Sequence, residues 1–324
     1  MSGAATLVAV LGPTATGKSA LGLALARRFG GEIISCDSAA IYRGFDIGTD
    51  KVPEAARQGI AHHCVDLADP TGTYTAADYG RDAAAAAAAI GARGALPILV
   101  GGTGFYYRAL TRGLFPGPGR DPALRQRLAA LAARHGIEFL HRMVRRVDPA
   151  SARRIQPRDS PRLVRALEVY FASGRPLTAW FAETRSPLEG WTVIPVGLRL
   201  AAPLLADRIS RRVDQQFEQG LMAEIDALIR RGVPETAHPF GGLVYRQALE
   251  LRHGLRNEAE TRELICRENR RYARRQLIWF RKEPNLVWFD GPGETGATID
   301  RVVRHVAGAL AAAGGLPQQE GGGA

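Results

Sequence analysis

Eight residues near the N-terminus, Gly12-Pro-Thr-Ala-Thr-Gly-Lys-Ser19, constrain the fold of this chain more than any other stretch. They fit the pattern GxxxxGK[ST], and their setting matters as much as their letters. Residues 7–11 form a short apolar run that reads as a buried strand. Residues 19–29 carry Leu21, Leu25 and Phe29 at helical spacing and stop at Gly30-Gly31. A loop between such a strand and such a helix points successive backbone N–H groups at phosphate oxygens. Glycine is needed where a side chain would block that approach.

The strand–helix alternation continues. Residues 32–35 read as a second strand, with Asp37 just beyond it. Residues 76–90 are alanine-rich, which predicts a helix, and this one reads as structural. Residues 96–100 read as another strand, ending at Gly101-Gly102. The alternation predicts a doubly wound parallel sheet. At 115–120, FPGPGR is a cluster of breakers, and from Asp121 to about Trp180 only helical signals follow, such as Leu124, Leu128 and Leu131. Residues 193–200 read as a strand again. The fold class expected is α/β: a P-loop-type parallel sheet flanked by helices over 1–117 and 191–313, with an inserted helical domain over 118–190. Helices are expected at about 202–231, 242–253 and 258–282, and a last strand at 286–289. The Gly/Gln-rich stretch 314–324 is expected to be disordered. No internal repeat is found.

Composition sharpens this. With 324 residues and 46% hydrophobic side chains, the chain can bury a large core. No run is apolar enough for a membrane helix, and the first residues resemble neither a signal nor a transit peptide. Cys36, Cys64 and Cys266 are far apart and form no CxxC pair, which points to a reducing compartment and a cytoplasmic location. The formal net charge is +11, yet the first 110 residues hold nine basic and nine acidic side chains. The whole excess therefore lies beyond residue 110, and it is mostly arginine, which suits planar phosphate contacts. A neutral front and a basic remainder suggest a small ligand held first and a polyanion second. A plain solvated basic surface is the alternative.

The loop is specific for a diphosphate or triphosphate but not for the reaction. Lys18 would neutralise the terminal phosphate, and Ser19 would hold Mg²⁺. Gly12, Thr14, Ala15, Thr16 and Gly17 would supply the cradle. A nucleotide hydrolase normally has an aspartate at the end of an apolar strand to help hold the metal. Here the strand ending at Gly101-Gly102 has no acid. Its Thr103 hydroxyl would instead bond a phosphate oxygen, leaving Asp37 as the acid placed for chemistry.

At this point the residues carry a resemblance to the tRNA dimethylallyltransferase (tRNA isopentenyltransferase) family, bacterial type. The matching segments run in order: GPTATGKS at 12–19, DSAAIYRGFDIGTDK at 37–51, HHCVDLADP at 62–70, YTAADY at 74–79, VGGTGFYYRAL at 100–110, DSPRLVRALEVY at 159–170, ADRISRRVDQQFEQGLMAEI at 206–225, VYRQ at 244–247 and RRQLIWFRK at 274–282. The resemblance implies transfer of a dimethylallyl group from dimethylallyl diphosphate to the N6 amine of the adenosine 3′ of the anticodon, position 37 of the tRNA, with Mg²⁺ as cofactor. It implies Asp37 as general base, and Thr103 and Arg212 on the leaving pyrophosphate beside Lys18 and Ser19. It implies tRNA contacts by Asp37, Ser38, Ala39, Ala40 and Thr103; by Arg125; and by Pro161, Arg162, Leu163, Val164 and Arg165. The same holds for Gly242, Leu243, Val244, Tyr245, Arg246 and Gln247, and for Arg274, Arg275, Gln276, Leu277, Ile278, Trp279, Phe280 and Arg281. Some relatives carry Gln at the position of Ala40, so an amide contact from that site is missing here. There is no C-terminal zinc finger of the eukaryotic kind. The partners implied are the tRNA anticodon stem-loop and dimethylallyl diphosphate, with no membrane and a monomeric enzyme. An adenylate isopentenyltransferase acting on free nucleotides, a P-loop NTPase or kinase, and a non-catalytic RNA-binding protein are the rival readings.

The chemistry agrees. An aromatic amine is a poor nucleophile, and a carboxylate accepting its proton as the new bond forms helps it react. The adenine must leave its stack to reach a buried site. Within 262–282, Arg267, Arg270, Arg271, Arg274, Arg275 and Arg281 share a helix with Tyr272, Trp279 and Phe280, a mixture suited to stacking and phosphate contacts. Leu264, Leu277, Trp279 and Phe280 would equally serve as core on the opposite face. The pair His62-His63 lacks a second cluster and reads as structural, as do Tyr106-Tyr107, while Trp180, Trp191 and Trp288 are expected in the core. Asp46 and Asp50 could cap a helix or touch Mg²⁺.

Overall fold

Six short runs pair into one parallel sheet: β1 (Thr6–Leu11), β2 (Gly31–Cys36), β3 (His62–His63), β4 (Leu96–Gly101), β5 (Thr192–Arg199) and β6 (Val287–Asp290), in the order β3-β2-β4-β1-β5-β6. This computed structural model describes residues 5–314, so the expected tail lies, past Gly314, outside the described residues. Pro97 and Pro195 sit inside β4 and β5, each just before the ladder to one neighbour begins, where the missing N–H costs no strand bond.

The helices are α1 (Lys18–Phe29), α2 (Ala76–Ala92), α3 (Gly104–Arg112), α4 (Pro122–His135), α5 (Ile137–Val147), α6 (Pro149–Arg154), α7 (Ser160–Ser173), α8 (Leu177–Phe181), α9 (Ala202–Glu218), α10 (Leu221–Arg230), α11 (Leu243–Arg252), α12 (Glu258–Phe280) and α13 (Gly296–Ala312). Two compact units result. One takes the chain up to Thr111 and from Pro187 onward, and the other is Arg112–Ser186. Among the described residues no helix is long and apolar enough to cross a membrane.

In the first unit, strand alternation divides the core. Val8, Val10, Ile33, Ile98, Val196 and Leu198 face α1 and α13. Leu7, Ala9, Leu11, Ile34 and Leu99 face α2, α10 and α11. Each fully buried aliphatic side chain contributes roughly 1.5–3 kcal/mol. α13 is an element the sequence reading passed over, although Thr298, Val302, Val306 and Leu310 are buried at four-residue spacing. The stretch expected as one helix over 202–231 is two, because Gly220 stands at φ 95°, outside any helical interior.

The second unit is wholly helical, built on Leu128, Leu140, Val144, Leu163 and Leu167. Gly113, at φ 74°, lies against Arg185, where a Cβ would come within 1.9 Å of the carbonyl, so only glycine fits this neck. Glu168 is fully buried among these helices. Burial alone would push its carboxyl up. Hydrogen bonds from Arg125, Arg165 and the Asp121 N–H outweigh that and bring it down to about 2.

Candidate active site

β2, β4 and β1 are neighbours, so whatever leaves their C-terminal ends meets at one edge of the sheet. Asp37 follows β2, Gly102 and Thr103 follow β4, and the 12–19 loop follows β1. Asp37, Gly102 and that loop, together with α9, α11 and α12, surround a cleft of about 820 Å³.

The loop has the shape its glycines allow. Gly12 stands at φ 139° with a Cβ position only 2.4 Å from the Leu198 carbonyl, and Gly17 at φ 85° with one 2.7 Å from the Gly293 nitrogen. Gly12 and the fully buried Thr16, whose hydroxyl donates to the Pro13 carbonyl at 2.9 Å, shape the loop from behind. Thr14, Ala15, Gly17, Lys18 and Ser19 line the cleft. No side chain caps α1, so its first N–H groups are open to an anion. Lys18 Nζ donates to the Pro13 carbonyl at 2.6 Å. Burial and the nearby Arg212 charge push its ammonium down to about 7, against a partial pull from Asp37.

Arg212, on α9, reaches the loop and donates to Thr14 Oγ1 at 2.8 Å while pairing with Asp50 at 3.1 Å. Burial pushes the Asp50 carboxyl up to about 6 against the pull of that arginine. Asp46 instead pairs with Lys51 at 2.6 Å. Asp37 closes a tight turn in which its Oδ1 accepts the N–H groups of Ala39 at 2.8 Å and Ala40 at 3.3 Å. Its Oδ2 has no hydrogen-bond partner among the described residues. Thr103 does not itself line the cleft. Its hydroxyl accepts the Ser38 N–H at 3.1 Å and donates to Ser38 Oγ at 3.5 Å, which ties the β4 turn to the Asp37 turn.

The residues expected to touch RNA divide by exposure. Arg246, Arg274, Arg275, Ile278 and Arg281 are exposed, Gly242, Leu243, Leu277 and Trp279 half-exposed, and Ala40, Val244, Tyr245, Gln247, Gln276 and Phe280 buried. Tyr245 is committed to the Gly48 N–H and to Glu224, and Gln247 to Arg256. In the helical unit Pro161 and Arg162 are exposed, whereas Leu163 and Val164 belong to the core. The guanidinium groups of Arg125 and Arg165 are held by Glu168.

Several lining residues were not singled out as site residues in the sequence. Tyr272 of α12 stands in hydrogen-bonding reach of Thr103, and burial followed by the Asp37 charge pushes its hydroxyl up to about 12. Arg208 donates to the Ala15 carbonyl at 2.7 Å and pairs with Glu294. Glu294 comes from a turn far along the chain, and nothing local marks it. Tyr272 and Arg208 lie inside arginine-rich helices, where periodicity shows which face is turned inward but not what it meets. His62-His63 forms the edge strand, with His63 bonded to Glu32 at 2.6 Å. Tyr106 stacks on Tyr79 with ring centroids 4.1 Å apart. Trp180, Trp191 and Trp288 pack against the cores but remain half-exposed rather than enclosed. All three cysteines are free thiols.

For Mg²⁺ the donor set is sparse. No group of three or more His, Cys, Asp or Glu gathers as a metal site among the described residues. Ser19 presents an exposed hydroxyl to the cleft, and the Asp37 and Asp50 carboxylates line it as well. Mg²⁺ keeps several waters and takes few protein oxygens alongside substrate phosphates, so hard oxygen donors in this number fit it.

Comparison with known proteins points one way. A family model described as IPP transferase matches residues 40–283, a match that begins just after the loop and Asp37. The tRNA dimethylallyltransferase of Solibacter usitatus (strain Ellin6076) is 45% identical over 307 residues, 93% of this chain and 99% of that protein. That of Koribacter versatilis (strain Ellin345) is 42% identical over 300 residues, 93% and 97% respectively. Among solved structures, the full-length tRNA isopentenylpyrophosphate transferase of Bacillus halodurans has a TM-score of 0.71 at 35% identity, covering 96% of this chain and 98% of that one. A eukaryotic dimethylallyltransferase acting on tRNA shares the fold, with a TM-score of 0.77 at 23% identity over 97% of this chain and 81% of that one.

Proposed function

We infer the reaction from one premise: the chain belongs to the IPP transferase family. It is a tRNA dimethylallyltransferase, which moves a dimethylallyl group from dimethylallyl diphosphate to the N6 amine of the adenosine 3′ of the anticodon and releases pyrophosphate. The N6–C1 bond forms, the C1–O bond to the diphosphate breaks, and the amine gives up one proton.

The cleft supports the following residue roles. Asp37 takes the proton at Oδ2. Its other oxygen is fixed by two backbone N–H groups, so the carboxylate meets the amine without first reorienting. Lys18, Arg212 and the open N–H groups of α1 hold the diphosphate and oppose the charge that grows on it as the C1–O bond breaks. Thr103, bonded to Ser38 behind the cleft wall, would reach the leaving pyrophosphate by turning its hydroxyl from Ser38 Oγ. Mg²⁺, when bound, would be held by Ser19 and the substrate phosphates and would neutralise the leaving pyrophosphate. The free thiols and an RNA substrate suit a reducing, cytoplasmic setting.

The observation that carries this reading is an unpartnered carboxylate oxygen on the same sheet edge as a phosphate cradle, with one strand, β4, between them. Asp37→Asn keeps the turn acceptor and removes the base. Single-turnover prenylation of tRNA is expected to fall by about 100-fold or more, with tRNA affinity unchanged. An unaltered single-turnover rate would remove Asp37 from the chemistry.

A further inference from the structure

The helix α12 shows its arginines to solvent on one side, but Gln276 in the middle of that stretch is turned inward and buried. Its amide makes two bonds to main chain far away in sequence. Oε1 accepts the Thr14 N–H at 2.9 Å, and Nε2 donates to the Gly102 carbonyl at 2.8 Å. Thr14 belongs to the phosphate loop after β1, and Gly102 precedes Thr103 after β4. A primary amide is the side chain that offers a donor and an acceptor in one plane, as this gap requires. Gly102 makes room for it, since a Cβ there would lie 2.3 Å from Nε2.

The bridge has a chemical consequence. Thr14 is gripped a second time by Arg212, and Thr103 is bonded to Ser38 beside Asp37. The Gln276 amide therefore fixes the distance between the segment that holds the diphosphate and the segment that ends at the base. We propose that Gln276 is a positioning residue for the diphosphate step and not an RNA contact, despite its place in the helix that faces RNA. The proposal rests on the prenyl-transfer reading for its kinetic consequence. Its binding consequence concerns only the phosphate loop.

Two variants test it. Gln276→Glu keeps the shape and the acceptor but sets an oxygen against the Gly102 carbonyl; Gln276→Leu removes both bonds. Each is compared with the native chain for tRNA dissociation constant, KM for dimethylallyl diphosphate, kcat, and binding of inorganic pyrophosphate with Mg²⁺ in the absence of RNA. The expected result is roughly a ten-fold or greater weakening of pyrophosphate binding, a matching rise in KM for dimethylallyl diphosphate and a lower kcat, with the tRNA dissociation constant within two-fold. A tRNA dissociation constant raised ten-fold with pyrophosphate binding intact would make Gln276 an RNA contact and overturn the proposal. A lower melting temperature with all four quantities unchanged would reduce it to a structural bond and overturn it equally. Should Gln276→Leu not fold, Gln276→Glu carries the same comparison. If the native chain fails to prenylate tRNA, the function falls, while the pyrophosphate titration still decides the role of Gln276.

Discussion

Lys18 carries the residue-scale consequence of burying a cation beside another cation. In the free enzyme its ammonium is pushed down to about 7, so it is largely neutral at pH 8. A bound diphosphate brings the negative charge that favours the protonated form. Binding above about pH 7 must therefore take up a proton, and below that pH the uptake disappears because Lys18 is already charged. Calorimetry of Mg²⁺–pyrophosphate binding at pH 8, in buffers of different ionisation enthalpy, reads this directly. The native chain is expected to take up about one proton more than Lys18→Arg, whose guanidinium stays charged throughout. Subtracting the variant removes the protons that pyrophosphate itself exchanges. Equal uptake in the two proteins would mean that Lys18 is already protonated in the empty site.

At the scale of elements, α12 carries the Gln276 bridge on one face and exposed arginines on another. A capping box between Asn257 and Glu260 starts it, contributing about 1 kcal/mol, and Thr261, Ile265, Ala273, Gln276 and Phe280 bury one face. On the other face Arg271 pairs with Glu268. Arg267, Arg270, Arg274 and Arg281 meet no carboxylate among the described residues, and Arg275 lies over the Tyr272 ring. Arginines left unpaired are suited to phosphates. Replacing both Arg274 and Arg275 by alanine is expected to weaken tRNA binding and to lower the slope of log affinity against log salt by about 1 to 2. An unchanged slope would mean that these guanidinium groups are only solvated. This helix was legible from spacing alone, as were β1, α1 and β4, because each combines a clear period with a glycine or polar stop. β3 was not, since two residues at a sheet edge carry no period. α13 was missed although its buried positions recur every four residues. The bridge from Gln276, the Arg208–Glu294 pair and the commitment of Arg125 to Glu168 were beyond reach for a different reason. Each joins segments that only the folded chain brings together, and the letters of either segment do not name the other.

For the whole molecule, charge is divided unevenly between the two units. Arg112–Ser186 holds fifteen arginines and no lysine against six carboxylates, a formal +9 of the chain's +11. The unit with the phosphate loop and Asp37 is close to neutral. A small diphosphate needs only the local cations Lys18 and Arg212, whereas a nucleic acid is gathered by an extended field. The helical unit is accordingly proposed as an RNA-binding surface, with Arg142, Arg145, Arg146, Arg153 and Arg154 exposed on it. Acceptor size is therefore the central claim, and it is tested most directly by competition. The purified protein is mixed with Mg²⁺, dimethylallyl diphosphate and equimolar unmodified tRNA and AMP, and the nucleosides are read by mass spectrometry. Prenylated adenosine from the tRNA, with AMP untouched, is the expected result. Prenylated AMP beside unmodified tRNA would contradict it, making the protein a nucleotide prenyltransferase and leaving the basic helical unit without its polyanion.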